Sequence, residues 1–343
     1  MSRCLVRGSI NIDEFFHVRD IVRAGETTSS TGIERRAGGK GANQAVAVAR
    51  AGGPVELIGA VGEDGRWVRD QLNEFGVNVD EVAFTDEPTG RAVIQLAESG
   101  ENCIILFKGA NYADVPSRTT LHSLGKPISH LLVQNEIPLS STLSYLSLAH
   151  SEGVSTVFNP SPMPTPAELR AFPWTHVSWL LLNEGEAADL LTALGAPHVT
   201  PFEETKEGLP STPSLLTSYS VVARLSRHPA FSRSVNIVCT LGSAGVLALL
   251  PALLNPIYVP AAKLEGSVRD TTGAGDCFTG YLVAELMRQK LATGVELHEA
   301  KMTEILRIAV QAAGICVERR GAMESIPTRA EVLERLQSES VEC

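Results

Sequence analysis

A seven-residue motif at residues 270 to 276, Asp-Thr-Thr-Gly-Ala-Gly-Asp, combines carboxylates and glycines at a spacing that suits phosphate chemistry. Apolar residues follow it at the spacing of one helix face: Phe278, Leu282 and Leu286. The motif is therefore predicted to be a tight turn into a helix N-terminus, where Gly273 and Gly275 let an anion approach free N–H groups. Asp276 would lie beside that anion and could take a proton from an attacking alcohol, as phosphoryl transfer requires. Alternatively, Asp276 only caps the helix.

Two earlier stretches carry groups that could bind a small polar ligand. Asn11 and Asp13 are two residues apart, so in an extended chain they face the same way and suit sugar hydroxyls. An Asx turn explains that pair equally well. The glycine-rich run 37–44 offers Lys40 and Asn43 as donors at the start of a small-residue helix, and it is neither a Walker A loop nor a dinucleotide fingerprint. It either brings backbone close to a small ligand or is a flexible loop with a solvated lysine.

The composition limits the classes of protein that fit. The chain has 343 residues with 44% hydrophobic side chains, enough for one large α/β domain, and 39 acidic against 29 basic residues give a net charge of −10. An acidic chain without a basic stripe is not expected to bind nucleic acid. The longest apolar stretch, 244–254, contains Pro251 and is too short to span a membrane. Six cysteines without paired spacing indicate reduced thiols in a cytoplasmic protein rather than zinc ligands.

Strand and helix patterns alternate along most of the chain, and this alternation predicts a mainly parallel sheet with helices on both faces. Polar residues recur where the predicted strands end: Asp13, Glu136, Asn159, Asn183 and Thr240. A ligand cleft of an open α/β sheet lies at the carboxyl ends of its strands. The row of polar residues therefore predicts a cleft at that edge, in one α/β domain that spans residues 1–343.

Two segments interrupt the alternation. Strand patterns at about 14–37 and 90–108, the second with a hairpin around Gly100, predict either a small β lid over the ligand site or an antiparallel edge of the main sheet. The segment 196–234 is rich in proline and predicts a surface insertion, within which 215–225 could be a helix.

Taken together, the run Gly38-Gly39-Lys40-Gly41-Ala42-Asn43-Gln44-Ala45 and the motif at 270–276 resemble the two signatures of the ribokinase-like (PfkB) carbohydrate kinases. The resemblance covers nearly the whole chain and includes six shorter matches, at 8–11, 62–65, 109–111, 183–186, 240–243 and 320–327. It implies a three-layer α/β/α ribokinase-like fold with a small β lid. It also implies ATP-dependent phosphorylation of D-ribose at O5, giving D-ribose 5-phosphate and ADP.

The resemblance assigns roles to particular residues. Asp276 would be the base, and the N–H groups of Gly273, Ala274 and Gly275 would form the anion hole. The sugar would be bound by Asp276 together with Asn11, Ile12, Asp13, Gly39, Lys40, Gly41, Asn43 and Glu136. ATP would be held by Gly275 and Asp276 together with Asn183, Glu186, Thr240, Leu241, Gly242, Ser243, Ala244 and Gly245. Val310 is a departure, because relatives often place a polar side chain near adenine there.

Metal ions and a partner subunit are also implied. Glu186 would help to place Mg²⁺, which keeps several waters and needs few protein ligands. A monovalent cation, usually K⁺, would be bound beside the anion hole by Asp270, Thr272, Cys316, Arg319, Gly321 and Ser325. The lid strands would pair between two copies in a homodimer. Two alternatives remain: a kinase of another small sugar or a nucleoside, of the fructokinase or adenosine kinase type, and a non-catalytic sugar-binding protein on the same scaffold.

Overall fold

The structure is a computed structural model that describes residues 2–99, 101–121, 127–195, 212–231, 234–291 and 298–341. Its strands are β1 (Arg3–Arg7), β2 (Asn11–Val18), β3 (Gly32–Gly38), β4 (Val55–Gly62), β5 (Val82–Thr85), β6 (Gly90–Ala97), β7 (Asn102–Phe107), β8 (Ile128–Val133), β9 (Ser155–Phe158), β10 (Trp179–Asn183), β11 (Asn236–Thr240), β12 (Val246–Leu249) and β13 (Ile257–Val259). Its α-helices are α1 (Lys40–Arg50), α2 (Arg66–Glu74), α3 (Leu139–Ser151), α4 (Pro166–Ala171), α5 (Glu184–Leu194), α6 (Pro213–Ser226), α7 (Ala274–Leu291), α8 (Glu299–Val317) and α9 (Arg329–Val341).

The main sheet has nine strands in the order β13-β12-β11-β10-β9-β8-β1-β4-β5. The strands from β11 to β5 are parallel, whereas β12 and β13 continue the sheet as antiparallel strands. One hydrophobic core lies on the face covered by α1, α2, α7, α8 and α9, and a second core lies on the face covered by α3 to α6. The predicted three-layer architecture with a mainly parallel sheet is confirmed.

Helices α1 and α7 pack unusually closely because small residues meet at their contact. A Cβ atom on Gly280 of α7 would lie 2.3 Å from the Cβ of Ala47 in α1, so only glycine fits there. The small-residue face of α1 is fully buried at Ala42, Ala45 and Val46, as its pattern predicted. This close packing brings the first turns of the two helices together, and those turns carry Asn43 and Asp276.

Strands β3, β2, β6 and β7 form a separate four-stranded sheet, called here the small sheet. Strands β6 and β7, which flank the predicted hairpin, pair antiparallel in the small sheet rather than at an edge of the main sheet. Gly100 itself lies outside the described residues. The expectation that Asn11 and Asp13 end the first main-sheet strand is wrong, because that strand ends at Arg7 and both residues lie in β2. The chain leaves the main sheet at Gly8, where a side chain would clash with the Gly41 backbone.

The segment 196–234 is only partly what its composition predicted. Residues 196–211 lie outside the described residues. Residues 213–226 form α6, whose side chains Leu215, Tyr219 and Val222 are buried in the second core. This part is therefore packed structure rather than a surface insertion, because its apolar residues recur on one helix face. The helix expected within it is present and longer than predicted.

The apolar stretch 244–254 contains β12, which pairs antiparallel with β11 and β13. No strand was predicted for this stretch or for β5. The short helix α4 was not predicted either, although Thr165 and Glu168 form a capping box at its start. In the described part of the chain, no helix has the length and apolar character needed to cross a bilayer.

Candidate active site

Asp276 lies in the first turn of α7 and is 8% exposed. Asn43 Nδ2 donates to its Oδ2 atom and Gln44 Nε2 donates to its Oδ1 atom, each at 2.9 Å. Gln44 is fixed in turn, because its Oε1 atom accepts from Gln134 Nε2 and its amide also reaches Asn159 Oδ1 at 3.3 Å. The carboxylate is therefore held in one orientation by two side chains of α1. In the sequence Gln44 stands out only as part of the glycine-rich motif, and this role was not predicted for it.

A cleft of about 170 Å³ opens beside this carboxylate, at the carboxyl edge of the main sheet. Seven of the predicted site residues line it: Lys40, Asn183, Glu186, Thr240, Gly273, Gly275 and Asp276. Asn159, which was expected among the polar strand ends, lines it as well. The cleft thus brings together residues that the sequence analysis assigned to the sugar and residues that it assigned to ATP.

The turn before α7 has the geometry that an anion site needs. Gly273 takes a φ of 77°, which other residues resist, and a side chain there would press against Ala322. The side of Gly275 is open, since a Cβ atom there would meet nothing within 4 Å. The Ala274 N–H group donates to Thr271 O at 3.3 Å, so it is partly engaged within the turn. The helix start therefore offers the cleft a positive dipole end and an unobstructed backbone at Gly275.

Lys40 begins α1 and reaches the same cleft. Its N–H group donates to Glu136 Oε2 at 3.0 Å, and the Ser9 hydroxyl donates to the same carboxylate oxygen at 2.6 Å. Burial acts to lower the pKa of the Lys40 ammonium, but the carboxylates of Asp276, Glu136 and Glu186 outweigh burial and leave it above its ordinary value. Lys40 therefore carries a positive charge at neutral pH, in a cleft whose other charged groups are carboxylates.

Asn11 and Asp13 are both buried in β2. Asn111 Nδ2 donates to Asn11 Oδ1 at 2.7 Å, and Asn111 Oδ1 accepts from the Ile10 N–H group at 2.8 Å, so Asn111 fixes the start of this strand. Asn111 belongs to a segment that resembles the family, but no role was predicted for it. Successive side chains of a strand point to opposite faces, and the side chain of Ile12 lies in the first core. Ile12 therefore offers a ligand only main-chain groups.

Burial is the largest influence on Asp13, and it raises the pKa of this carboxyl to about 7. The carboxylates of Glu136, Asp276 and Glu324 raise it further, and the guanidinium of Arg36 offsets them only in part. The carboxylate of the predicted base, Asp276, is therefore one of the charges that act on Asp13. Asp13 is therefore partly protonated near neutral pH unless a ligand or a cation favours its charged form.

The glycine run before α1 is required by the chain's own backbone. A Cβ atom on Gly39, whose φ is 92°, would lie 2.8 Å from the Asn11 nitrogen, and one on Gly38 would lie 2.0 Å from the Asp13 carboxylate. Gly41 meets the backbone of Gly8 and Ser9 at 2.5–2.6 Å in the same way. The alternative of a flexible glycine loop does not fit this packing. The glycines let the start of α1 lie directly against the strand that carries Asn11 and Asp13.

The predicted ATP residues are arranged by local structure. Asn183 Oδ1 accepts from the Glu186 N–H group at 2.8 Å and Glu186 Oε2 accepts from the Asn183 N–H group at 2.9 Å, so the two residues form a capping box at α5. Thr240 ends β11 and lines the cleft. Leu241 is buried in the second core, whereas residues 242–244 are exposed in a 3₁₀ turn. Gly245, with a φ of 102°, lies directly against the end of β13.

The predicted cation residues come together between the end of α8 and the turn before α7. Asp270 Oδ1 accepts from the Thr272 N–H group at 2.9 Å, and Asp270 Oδ2 accepts from the Gly321 N–H group at 3.0 Å. Burial acts to raise the pKa of Asp270, but these N–H groups and Arg36, 3.7 Å away, hold it below its usual range. Cys316 O accepts from the Arg319 N–H group at 3.1 Å, and the Ser325 hydroxyl donates to Ala322 O at 2.7 Å. The cation site itself stays a prediction.

Fold and site together define a class. A three-layer α/β/α domain with a carboxylate at a glycine-flanked helix start, facing a lysine and a buried polar cluster, is a phosphotransferase that acts on small molecules. The chain belongs to the pfkB family of carbohydrate kinases, because the family model matches residues 1–329.

Curated relatives and solved structures agree with this family. A ribokinase from Schizosaccharomyces pombe is 33% identical, and the match covers 97% of both chains. The crystal structure of a ribokinase from Cryptococcus neoformans var. grubii serotype A in complex with ADP is 53% identical, with a TM-score of 0.82 over 98% of this chain and all of that one. The structure of a ribokinase from Arabidopsis thaliana with ribose and ATP is 28% identical, with a TM-score of 0.76 over 98% of this chain and 99% of that one.

Proposed function

We propose that this protein transfers the γ-phosphoryl group of ATP to O5 of D-ribose, giving D-ribose 5-phosphate and ADP. The position of Asp276 carries the proposal. Its carboxylate is bound by Asn43 and Gln44 of α1, where the sugar would lie, and it belongs to the first turn of α7, where the phosphates would lie. Relatives that are named ribokinase and match over nearly the whole chain support ribose as the acceptor.

The sugar would lie between the small sheet and the start of α1. Asn11 and Asp13 offer an amide and a carboxylate from β2, and Lys40 and Asn43 offer donors from α1. Asp276 would accept the proton of the O5 hydroxyl as O5 attacks the γ-phosphorus. Since Asn43 and Gln44 fix both carboxylate oxygens, the base needs no reorientation before it accepts the proton.

The transferred phosphoryl group would lie at the start of α7. The exposed backbone of Gly275, the helix dipole and the charged Lys40 all favour negative charge at that point, and phosphoryl transfer is catalysed mainly by such positioning and charge stabilisation. Mg²⁺ on the nucleotide would supply further charge neutralisation, and Glu186 is the carboxylate of the cleft on the nucleotide side. A K⁺ ion would be held beside Asp270, whose carboxylate accepts from the N–H groups of Thr272 and Gly321.

Homodimerisation belongs to the proposal as well. Strand β7 is the edge of the small sheet, and all of its residues are exposed, including Ile104, Ile105, Leu106 and Phe107 at 48–60%. An apolar strand with a free edge tends to find a partner, and a second copy offers the same strand. Size-exclusion chromatography with light scattering should give a dimer, and Ile105→Lys should give a monomer.

A coupled ADP-release assay with a panel of acceptors tests the whole proposal. Ribose, fructose, 2-deoxyribose and adenosine would each be supplied with MgATP, with and without K⁺. Turnover that depends on ribose and rises with K⁺ supports the proposal. Turnover only with another sugar or with a nucleoside would reassign the acceptor, and saturable ribose binding without ADP release would leave a binding protein on a kinase fold.

A further inference from the structure

Arg36 lies in β3 of the small sheet, directly opposite Asp13 of β2 in the antiparallel register. Side chains of residues that are paired in this way stand on the same face of a sheet, and the guanidinium lowers the pKa of the Asp13 carboxyl. The guanidinium lies over the ring of Phe15, 5.1 Å from its centroid, and its Nη2 atom donates to the carboxylate of Glu34. These contacts hold the positive charge on the face of the small sheet that carries Asp13.

The same guanidinium also reaches the segment that leads into α7. Its Nη1 atom lies 3.7 Å from Asp270 Oδ2, and a Cβ atom on Gly321 would lie 3.4 Å from that Nη1 atom. Asp270 precedes the turn into α7, and its carboxylate accepts from the N–H groups of Thr272 and Gly321. Arg36 therefore contacts, from the small sheet, the carboxylate that orders the backbone just before the open helix start at Gly275.

We propose that Arg36 is a positioning residue that couples sugar binding to the turn that receives the transferred phosphoryl group. The proposal rests on the proposed function, because it takes a sugar at Asp13 and ATP as the donor. A sugar that contacts both Asp13 of β2 and Asp276 of α7 fixes the small sheet relative to α7, and Arg36 on the neighbouring strand is then held beside Asp270. The turn is thereby ordered before the nucleotide binds, and linkage requires that the nucleotide tightens sugar binding by the same factor.

Isothermal titration of the non-hydrolysable ATP analogue AMP-PNP with Mg²⁺, with and without saturating ribose at one K⁺ concentration, tests the inference. In the wild type, ribose should tighten binding of the analogue at least about fivefold. Arg36→Met keeps the aliphatic stem over Phe15 but removes the charge, so the factor should fall below about twofold while the affinity for each ligand alone stays nearly constant. Arg36→Lys keeps a positive charge and should retain part of the factor.

Arg35 offers a matched control on the opposite face of the same strand. Its Nε atom lies 3.0 Å from Glu14 Oε1, and its side chain is 64% exposed. Arg35→Met makes the same chemical change as Arg36→Met but leaves the contact with Asp270 in place. It should therefore keep the coupling factor of the wild type.

The outcomes separate the inference from the proposed function. A wild-type coupling factor in Arg36→Met, or an equal loss of the factor in Arg35→Met, would overturn the role of Arg36. So would a weaker affinity of Arg36→Met for one ligand alone with the factor unchanged, because Arg36 would then act on a single site. Coupling that depends on Arg36 in a protein that does not phosphorylate ribose would overturn the proposed function and leave Arg36 in place. If the acceptor panel identifies another sugar, the same titrations with that sugar test Arg36.

Discussion

The two ends of the cleft are built in different ways. On the sugar side, side chains from distant parts of the chain hold one another: Asn43 and Asp276 are 233 residues apart, and Asn11 and Asn111 are 100 apart. On the nucleotide side, Asn183 and Glu186 hold each other across a single helical turn, and the loop at 242–244 is exposed. Only tertiary packing can create the first arrangement, whereas the second is local. Substitutions on the sugar side should therefore have larger effects on catalysis than substitutions on the nucleotide side.

The largest effect is expected at Asp276. Asp276→Asn keeps the size and two hydrogen-bonding atoms but cannot accept the proton of the sugar hydroxyl, so kcat should fall roughly 10²–10⁴-fold. Ribose affinity, measured by calorimetry, should change little. Near-normal turnover in this variant would remove Asp276 from the role of base, and the comparison between the two ends would lose its main support.

A substitution at Gln44 should show how much catalysis depends on the hydrogen bond that orients Asp276. Gln44→Leu removes the donor to Asp276 Oδ1 and leaves Gln134 and Asn159 without their partner. We expect kcat to fall about ten- to a hundredfold, because misplacement of a reacting group by about 1 Å has an effect of that size. The KM for ribose should stay nearly constant, and Gln44→Glu should not restore activity, since it places a second carboxylate against the first. A fall in ribose affinity with unchanged kcat would contradict a positioning role.

Asp13 should make ribose binding depend on pH. Its pKa of about 7 means that ribose, which needs the carboxylate as an acceptor, should bind less tightly as the pH falls below 7, by at most about tenfold per pH unit. Asp13→Asn should bind ribose weakly and with a flat profile between pH 5 and 7 in calorimetry. A wild-type profile that is equally flat would show that Asp13 does not titrate in this range.

The same residue should shape the stability of the sugar-free protein. The pKa of Asp13 is raised in the folded state from an ordinary value of 3.8, so the folded state binds the proton more tightly than the unfolded state does. Its contribution is present in full below about pH 4 and is lost as the pH rises through about 7. In denaturant unfolding, the free energy of unfolding of the wild type should therefore fall between about pH 4 and pH 7. Asp13→Asn should lack the part of this fall that the Asp13 carboxyl causes. Identical pH dependence in both proteins would contradict this assignment.

The smallest effect is expected at the nucleotide-side capping box. Asn183→Ala removes the acceptor for the Glu186 N–H group and should lower the free energy of unfolding by about 1 kcal/mol. The KM for ATP should rise only a few-fold, and kcat should stay close to that of the wild type. Thr165→Ala is the matched control, because it removes the capping residue of α4 away from the cleft. It should lower the free energy of unfolding by a similar amount and leave the KM for ATP unchanged. A fall in kcat as large as that of Gln44→Leu would contradict the contrast between the two ends.

Local features of this protein could be predicted from the sequence. The bounds of α5 follow from its capping residue and apolar spacing, and the parallel sheet follows from the alternation of strands and helices. The turn into α7, with Asp276 in its first turn, follows from two glycines and the apolar face behind them. These features depend on residues within a few positions of one another, and periodicity reports such short-range preferences.

The tertiary structure alone decided which distant groups meet. The pattern of residues 5–13 looked like one strand, yet a glycine contact with α1 sends Asn11 and Asp13 into the small sheet. The roles of Gln44, Asn111 and Arg36 depend on partners about 100 to more than 230 residues away, and no local pattern encodes such a partner. The sequence alone thus determined which residues could do the chemistry and on which elements they lie. Close packing of small residues determined which hydrogen bonds the site residues form and how their pKa values shift, because both depend on distances between atoms that are remote along the chain.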